Sequence, residues 1–230
     1  EAHRNALGQS SFGGYYYPRP FIRNPLTGAN KYVNMSAIMA GYIARVDALR
    51  REGPAKAPAN NPPFFPTILG LERVLDEGQI GRFNELGINC ARAFRNRGIR
   101  MWGARTLSSD PRFRYITSRR IFQYAARSLK QAFLDVPFEP NYVTLWDQVL
   151  RSARGFLDTM VRDGMLEGPE GQGYVVICDE TNNPPASREA GNLFIDIGLA
   201  DVKPAEFVWL RMAKHETTGE IAVEEGEAAA

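Results

Sequence analysis

Apolar residues recur at helical spacing along 35–52, "MSAIMAGYIARVDALRRE", where Ile38, Tyr42, Ile43, Val46 and Leu49 predict a helix stopped by Gly53-Pro54. A stronger stripe follows at 117–134: Ile121, Phe122, Ala125, Leu129, Ala132 and Phe133 fall within about 120° of arc, a core-facing stripe. The third helical pattern, 141–163, turns Leu145, Trp146, Val149, Leu150, Ala153, Phe156, Leu157 and Met160 toward a core. Its polar face pairs Asp147 with Arg151, Arg154 with Asp158 and Asp158 with Arg162 at i, i+4. A short helix is expected around "DEGQIGRFNELG" at 76–87.

Strand patterns fill the gaps. "INCARAF" and "IRMWGARTL" read as a hairpin turned by "RNRG". "GYVVICD", "NLFIDIGL" and "AEFVWLRMA" follow, with "ETNNPPASREAG" as the loop between the first two. In "NLFIDIGL", Leu193, Ile195 and Ile197 alternate with Asn192, Phe194 and Asp196, the period of a half-buried strand. Prolines 18, 20, 25, 54, 58, 62, 63 and 66 punctuate the segment before them, and "GPAKAPANNPPFFP" at 53–66 reads as an extended strap. The predicted fold class is α/β (α+β), a mixed sheet packed by two long amphipathic helices. The expected organisation is a Pro-rich lead-in over 1–66, a unit over 67–213 and a mobile acidic tail over 214–230.

Composition adds a charge asymmetry. The whole chain carries +2, but "HETTGEIAVEEGEAAA" holds five Glu and no base, so residues 1–215 set 28 basic against 21 acidic residues, a net of +7. The helix at 117–134 concentrates part of that charge: Arg119, Arg120, Arg127 and Lys130 share an arc of about 100° with no acid. Apolar runs stay short of the roughly 18 residues of a membrane span, so no membrane partner is expected. Cys90 and Cys178 lie in apolar strands without a Cys or His at ligand spacing, which predicts buried free thiols. The chain starts without Met, and it is expected to be part of a longer subunit.

Candidate chemistry is sparse. Ser108, Ser109 and Asp110 offer a hydroxyl and a carboxylate, but His3 and His215 lie near the ends, and a triad needs an oriented, buried imidazole. Turn formation ahead of Pro111 explains these residues better. Phosphate-loop glycine spacing and an EF-hand pattern are both missing, so no cofactor, no metal and no enzyme is expected. The alternative is a basic nucleic-acid-binding protein: Arg92, Arg95, Arg97, Arg100, Arg105, Arg112, Arg114, Arg119 and Arg120 crowd one stretch with Trp102, Phe113 and Tyr115 interleaved.

An ordered series of words points elsewhere. "KAPAN" at 56–60, "ILGLER" at 68–73, "GIN" at 87–89, "RGIRMWGARTLSSDP" at 97–111, "RYITSRRIF" at 114–122, "FEPN" at 138–141, "LW" at 145–146, "CDETNNPP" at 178–185 and "IGLADVKPAEFV" at 197–208 resemble the C-terminal half of contractile phage tail sheath proteins. That family also serves phage-tail-like bacteriocins and extracellular contractile injection systems. The fit spans about residues 32–212, with departures at "VNMSAIMAG" and "ALRREG".

The resemblance implies a structural subunit that polymerises as stacked rings around a rigid tail tube and contracts to drive the tube through a target envelope. Its partners would be further copies of itself, the inner tail tube protein, and baseplate and terminator proteins. It would reside in a virion tail or tail-like particle assembled in the bacterial cytoplasm. Strands exchanged between subunits would complete the sheets, and Ala205, Glu206, Phe207, Val208, Trp209, Leu210, Arg211 and Met212 are the expected inter-subunit strand. Arg119, Arg120, Arg127 and Lys130 are the expected tube-facing basic helix edge.

Overall fold

The computed structural model describes residues 2–49, 51–60, 68–169 and 172–206, together with the backbone at 208–209, 212–215, 221–224 and 228–229. In chain order the elements are α1 (Ala2–Ala6), β1 (Tyr15–Tyr17), β2 (Pro20–Arg23), β3 (Asn30–Tyr32), α2 (Met35–Leu49), β4 (Ile68–Leu71), α3 (Glu77–Glu85), β5 (Ile88–Phe94) and β6 (Gly98–Trp102). After these come α4 (Ile116–Ala132), α5 (Val143–Arg162), β7 (Tyr174–Ile177), α6 (Pro185–Glu189) and β8 (Asp196–Leu199). The chain ends in β9 (Val208–Trp209), β10 (Met212–His215), β11 (Ile221–Glu224) and β12 (Ala228–Ala229).

The fold is α+β, but its strands form several small sheets in place of one large mixed sheet. β1 runs parallel to β5 and β6 antiparallel to it, giving the order β1-β5-β6. β3-β2-β4 is antiparallel, and β7 pairs with β8. The reason is local: prolines and tight turns keep the early strands at three or four residues, too short to align into one sheet. α2 buries Met35, Met39, Tyr42 and Val46 against Ile68, Ala91 and Met101 of the first two sheets. The two long helices instead cover β7–β8, with Ile121, Ala125 and Leu129 of α4 meeting Ala153, Leu157 and Met160 of α5 over Val176.

The lead-in expected at 1–66 is woven into the unit that follows it. Tyr15–Tyr17 pair with Ile88–Cys90, and Pro20–Ile22 pair with residues 68–71. Of the strap, residues 61–67 lie outside the described residues. The strand expected over 192–199 forms its ladder at 196–199 alone, yet Leu193, Ile195, Ile197 and Leu199 stay half-buried and their alternates exposed, as the alternation requires. "ETNNPPASREAG" is not all loop, because Pro185–Glu189 close one short helix. The 214–230 tail is not without structure: residues 221–224 pair with 212–215, and 228–229 with 208–209. Among the described residues no helix is long and apolar enough to cross a membrane.

Candidate functional site

The stretch leaving β6 is organised by one buried side chain. Asn89, fully out of solvent on β5, donates Nδ2 to the Tyr15 carbonyl at 3.1 Å and the Arg105 carbonyl at 2.8 Å, and its Oδ1 accepts from the Arg105 N–H at 2.7 Å. It substitutes for a strand where the β5–β6 ladder ends. Gly103 passes beside it so closely that a Cβ would lie 3.1 Å from Asn89 Oδ1.

Beyond Arg105 the chain descends through side-chain turns into α4. Thr106 Oγ1 donates to the Phe113 carbonyl at 2.7 Å and accepts from the Ser108 N–H at 3.1 Å. Ser108 Oγ accepts from the Asp110 N–H at 3.1 Å, and Asp110 Oδ1 from the Arg112 N–H at 3.0 Å. Ser108 and Asp110 are thus engaged in turning the chain. Arg112 beside it holds the Asp110 carboxyl below the usual carboxylate range.

Arg105 itself is half-buried and reaches the other end of the described body. Its Nε lies 3.0 and 3.1 Å from the two carboxylate oxygens of Glu206, its Nη2 also contacts Glu206, and its Nη1 donates to the Asn84 carbonyl at 3.0 Å near the end of α3. The Glu206 hydrogen bond holds the guanidinium firmly protonated. Tyr115 donates its hydroxyl to Glu206 at 3.5 Å; burial, then the Glu206 charge, raises its pKa. Glu206 is the last residue of the continuously described segment 172–206, so this cluster fixes the chain just ahead of the expected C-terminal arm.

The expected arm strand lies partly outside the described residues. Ala205 and Glu206 precede β9, which Val208–Trp209 form, Met212 opens β10, and Phe207, Leu210 and Arg211 lie outside the described residues. The Glu206 carboxylate is committed to its own chain's Arg105. β9 to β12 pair only with one another among the described residues, β9 with β12 and β10 with β11.

The basic edge of α4 divides in two. Arg119 lies over the Phe113 ring at 3.7 Å and the Phe12 ring at 4.4 Å and donates to Ser11 Oγ at 2.5 Å, stapling the N-terminal segment to the helix. Arg120 is ion-paired with Asp47 of α2, an acid that helix periodicity alone could not bring to this face. Arg127 and Lys130 are exposed, with no acidic partner among the described residues. The remaining arginine cluster is also largely engaged: Arg92 meets Glu77 at 2.6 Å and stacks on Phe94, and Arg100 donates to the Asn60 carbonyl at 3.2 Å. Trp102 is partly buried beside Ile88 and Cys90, its ring 4.9 Å from that of Phe94. Cys90 and Cys178 are buried free thiols, and burial pushes the Cys90 thiol up to about 12.

Residues 108–214 match the family model of the phage tail sheath C-terminal domain, from the Ser108 turn through both long helices into the arm. The chain is similar to the tail sheath protein of Burkholderia phage BcepMu, 25% identical over 206 residues, which cover 83% of this chain and 40% of that protein. It is also similar to a putative prophage major tail sheath protein of Pseudomonas aeruginosa strain UCBPP-PA14, at 28% identity over 78% of this chain and 45% of that protein. Its fold is similar to that of a chain in the PVC sheath complex of an extracellular contractile injection system in the contracted state. There the identity is 32% and the TM-score 0.82, over 93% of this chain and 59% of the other. The chain is similar to contractile tail sheath proteins in sequence and in fold. A chain of the anti-feeding prophage helical sheath in the contracted state gives the same TM-score of 0.82 at 31% identity, over 91% of this chain and 58% of the other. The chain spans less than half the length of those two curated relatives.

Three features of the site carried little sequence signal. Glu206 looked like one more strand residue, since its partner lies 101 positions away. Arg4, in a terminus without pattern, is buried and donates to the carbonyls of Leu86, Gly8 and Leu107. Asn183, also fully buried, clamps both backbone groups of Phe194, and only its place in "CDETNNPP" pointed to it.

Proposed function

We propose that this chain carries the C-terminal domain of a structural sheath subunit. The subunit polymerises in stacked rings around a rigid inner tube and contracts to drive that tube through a target envelope, with no catalytic step. Its partners are further copies of itself, the tube protein, the baseplate and a terminator, and its place is the tail of a virion or tail-like particle.

The observation that carries the subunit–subunit part of this reading is the arm. It is pinned to the body at Glu206, yet beyond that point no described strand of it pairs with the body's sheets. An apolar strand with an unsatisfied edge adds to a neighbour's sheet through main-chain hydrogen bonds, with alternate side chains fixing the register. In the single chain the tail strands stand in for that neighbour. A receiving edge is also present: the β7–β8 ladder has no third strand among the described residues, and Val175 and Ile177 are exposed on it. Tethered by its root and paired at its tip, the arm lets subunits rotate without separating. Removing the chain from Phe207 onward leaves a folded subunit that does not polymerise, whereas removing Glu216–Ala230 alone leaves polymerisation intact. Equal polymerisation of the longer deletion contradicts the arm's role.

A further inference from the structure

The connection between α4 and α5 leaves Leu134, Phe138 and Tyr142 in solvent, and Phe138 is completely exposed at 106%. This loop is held from both sides. Val136 packs into the Trp146 cluster, the Glu139 N–H donates to the Val136 carbonyl at 3.2 Å, and Asn141 is tied to the Asn192 carbonyl at 2.9 Å and to the Trp146 indole at 2.8 Å. Between these anchors Phe138 takes a φ of 75°, a conformation a bulky residue adopts only where its surroundings impose it. A rigidly presented aromatic is the form of an interface anchor. Its flanks carry charge of one sign: "LDVPFEPNYV" at 134–143 holds Asp135 and Glu139 and no base.

A face of matching chemistry lies on the sheet β3-β2-β4. One side of that sheet covers the α2 core; on the other, Phe21 is in register with Tyr32 on one strand and Gly70 on the other. The Phe21 and Tyr32 rings lie 5.1 Å apart, and a Cβ added at Gly70 would meet nothing within 4 Å. The row therefore runs aromatic, aromatic, gap, with Leu69 exposed beside it. Arg23, two residues along β2 from Phe21 and so on the same face, donates to the Gly28 carbonyl and has no acidic partner among the described residues.

We propose that the Phe138 tip of one subunit docks into the Gly70 gap of a second copy, its ring against Phe21 and Tyr32 and Glu139 facing Arg23. Offset aromatic contact supplies attraction, and the opposite charges fix orientation. Tip and face are different patches, so the contact is heterologous: it repeats from copy to copy and builds a ring or helix in place of a closed dimer. The proposal rests on the sheath reading and adds a body-to-body contact to the arm.

The test is sedimentation velocity of the full chain over a concentration series. Reversible association is expected, weakened about tenfold or more by Phe138→Asn, whose side chain accepts left-handed backbone, and equally by Gly70→Leu, which fills the gap. Phe138→Tyr retains it, Glu139→Arg weakens it, and Arg23→Glu combined with Glu139→Arg restores it, all with unchanged unfolding midpoints. A parent that does not associate overturns the docking, as does association indifferent to Phe138→Asn or to Gly70→Leu. Cylinder formation on tubes by the complete subunit is scored separately. Cylinders without the expected association overturn the docking alone; the expected association without cylinders overturns the sheath reading.

Discussion

Arg105 and Glu206, 101 residues apart, meet in a two-point ion pair with side-chain exposures of only 12% and 14%. Exposed pairs are worth little, but here the removal of one partner strands the other away from water. Glu206→Ala therefore lowers unfolding stability by about 3 kcal/mol, measured by denaturant titration. A loss within about 0.5 kcal/mol, the range of ordinary surface substitutions, means that the arm root is not fixed by this contact.

Asn89 tests how the body is closed at that same root. Asn89→Ala leaves the Arg105 N–H and the Tyr15 and Arg105 carbonyls without their side-chain partner. Each orphaned buried group costs about 1–3 kcal/mol, so the variant is expected to be among the least stable single substitutions and to show faster amide exchange at Arg105. Replacement of Ser108 by Ala, which removes one turn bond, costs no more than about 1 kcal/mol.

The basic face of α4 separates by role. Arg120→Ala strands Asp47 and lowers stability, whereas Arg127→Glu with Lys130→Glu leaves the unfolding midpoint in place. If the exposed pair faces an acidic tube, the double reversal weakens assembly on tubes most at low salt, where screening is weakest. Assembly unchanged at low salt removes the tube-facing assignment.

Alkaline pH should unfold the body for a definite reason. Burial pushes the Cys90 thiol from an ordinary value of 9.0 up to about 12, and the Tyr16 hydroxyl from 10.0 up to about 12, the latter partly opposed by Arg120. The unfolded chain releases these protons first. Their contribution is therefore complete below pH 9.0 and is lost as pH rises toward about 12, at up to roughly 1.4 kcal/mol per pH unit per group. Cys90→Ala flattens that slope; an equal slope in the variant rules the thiol out as a source.

Legibility in the sequence followed the range of the interactions. The stripe from Ile121 to Leu129 and the alternation from Leu193 to Leu199 are near-neighbour patterns, and both were read correctly along with the cysteines. The sheet arrangement was not, because the placing of Tyr15–Tyr17 beside β5 depends on a contact across more than 70 residues. The acid-free face of α4 was correct for the helix but not for the fold, since Asp47 arrives from α2. Phe138 gave no local signal either: its exposure follows from anchors at Val136 and Asn141 whose partners lie on α5 and beside β8.

The central claim is that the arm beyond Glu206 belongs, in the assembled state, to a neighbouring subunit. The most direct measurement is a cryo-electron microscopy map of the complete subunit polymerised on its tube. The account predicts a hollow sheath in which Arg105 and Glu206 stay joined within one chain while residues 208–215 pair with a sheet of another subunit. A map in which residues 212–215 pair only with residues 221–224 of their own chain, and 208–209 only with 228–229, as they do in the isolated chain, contradicts it.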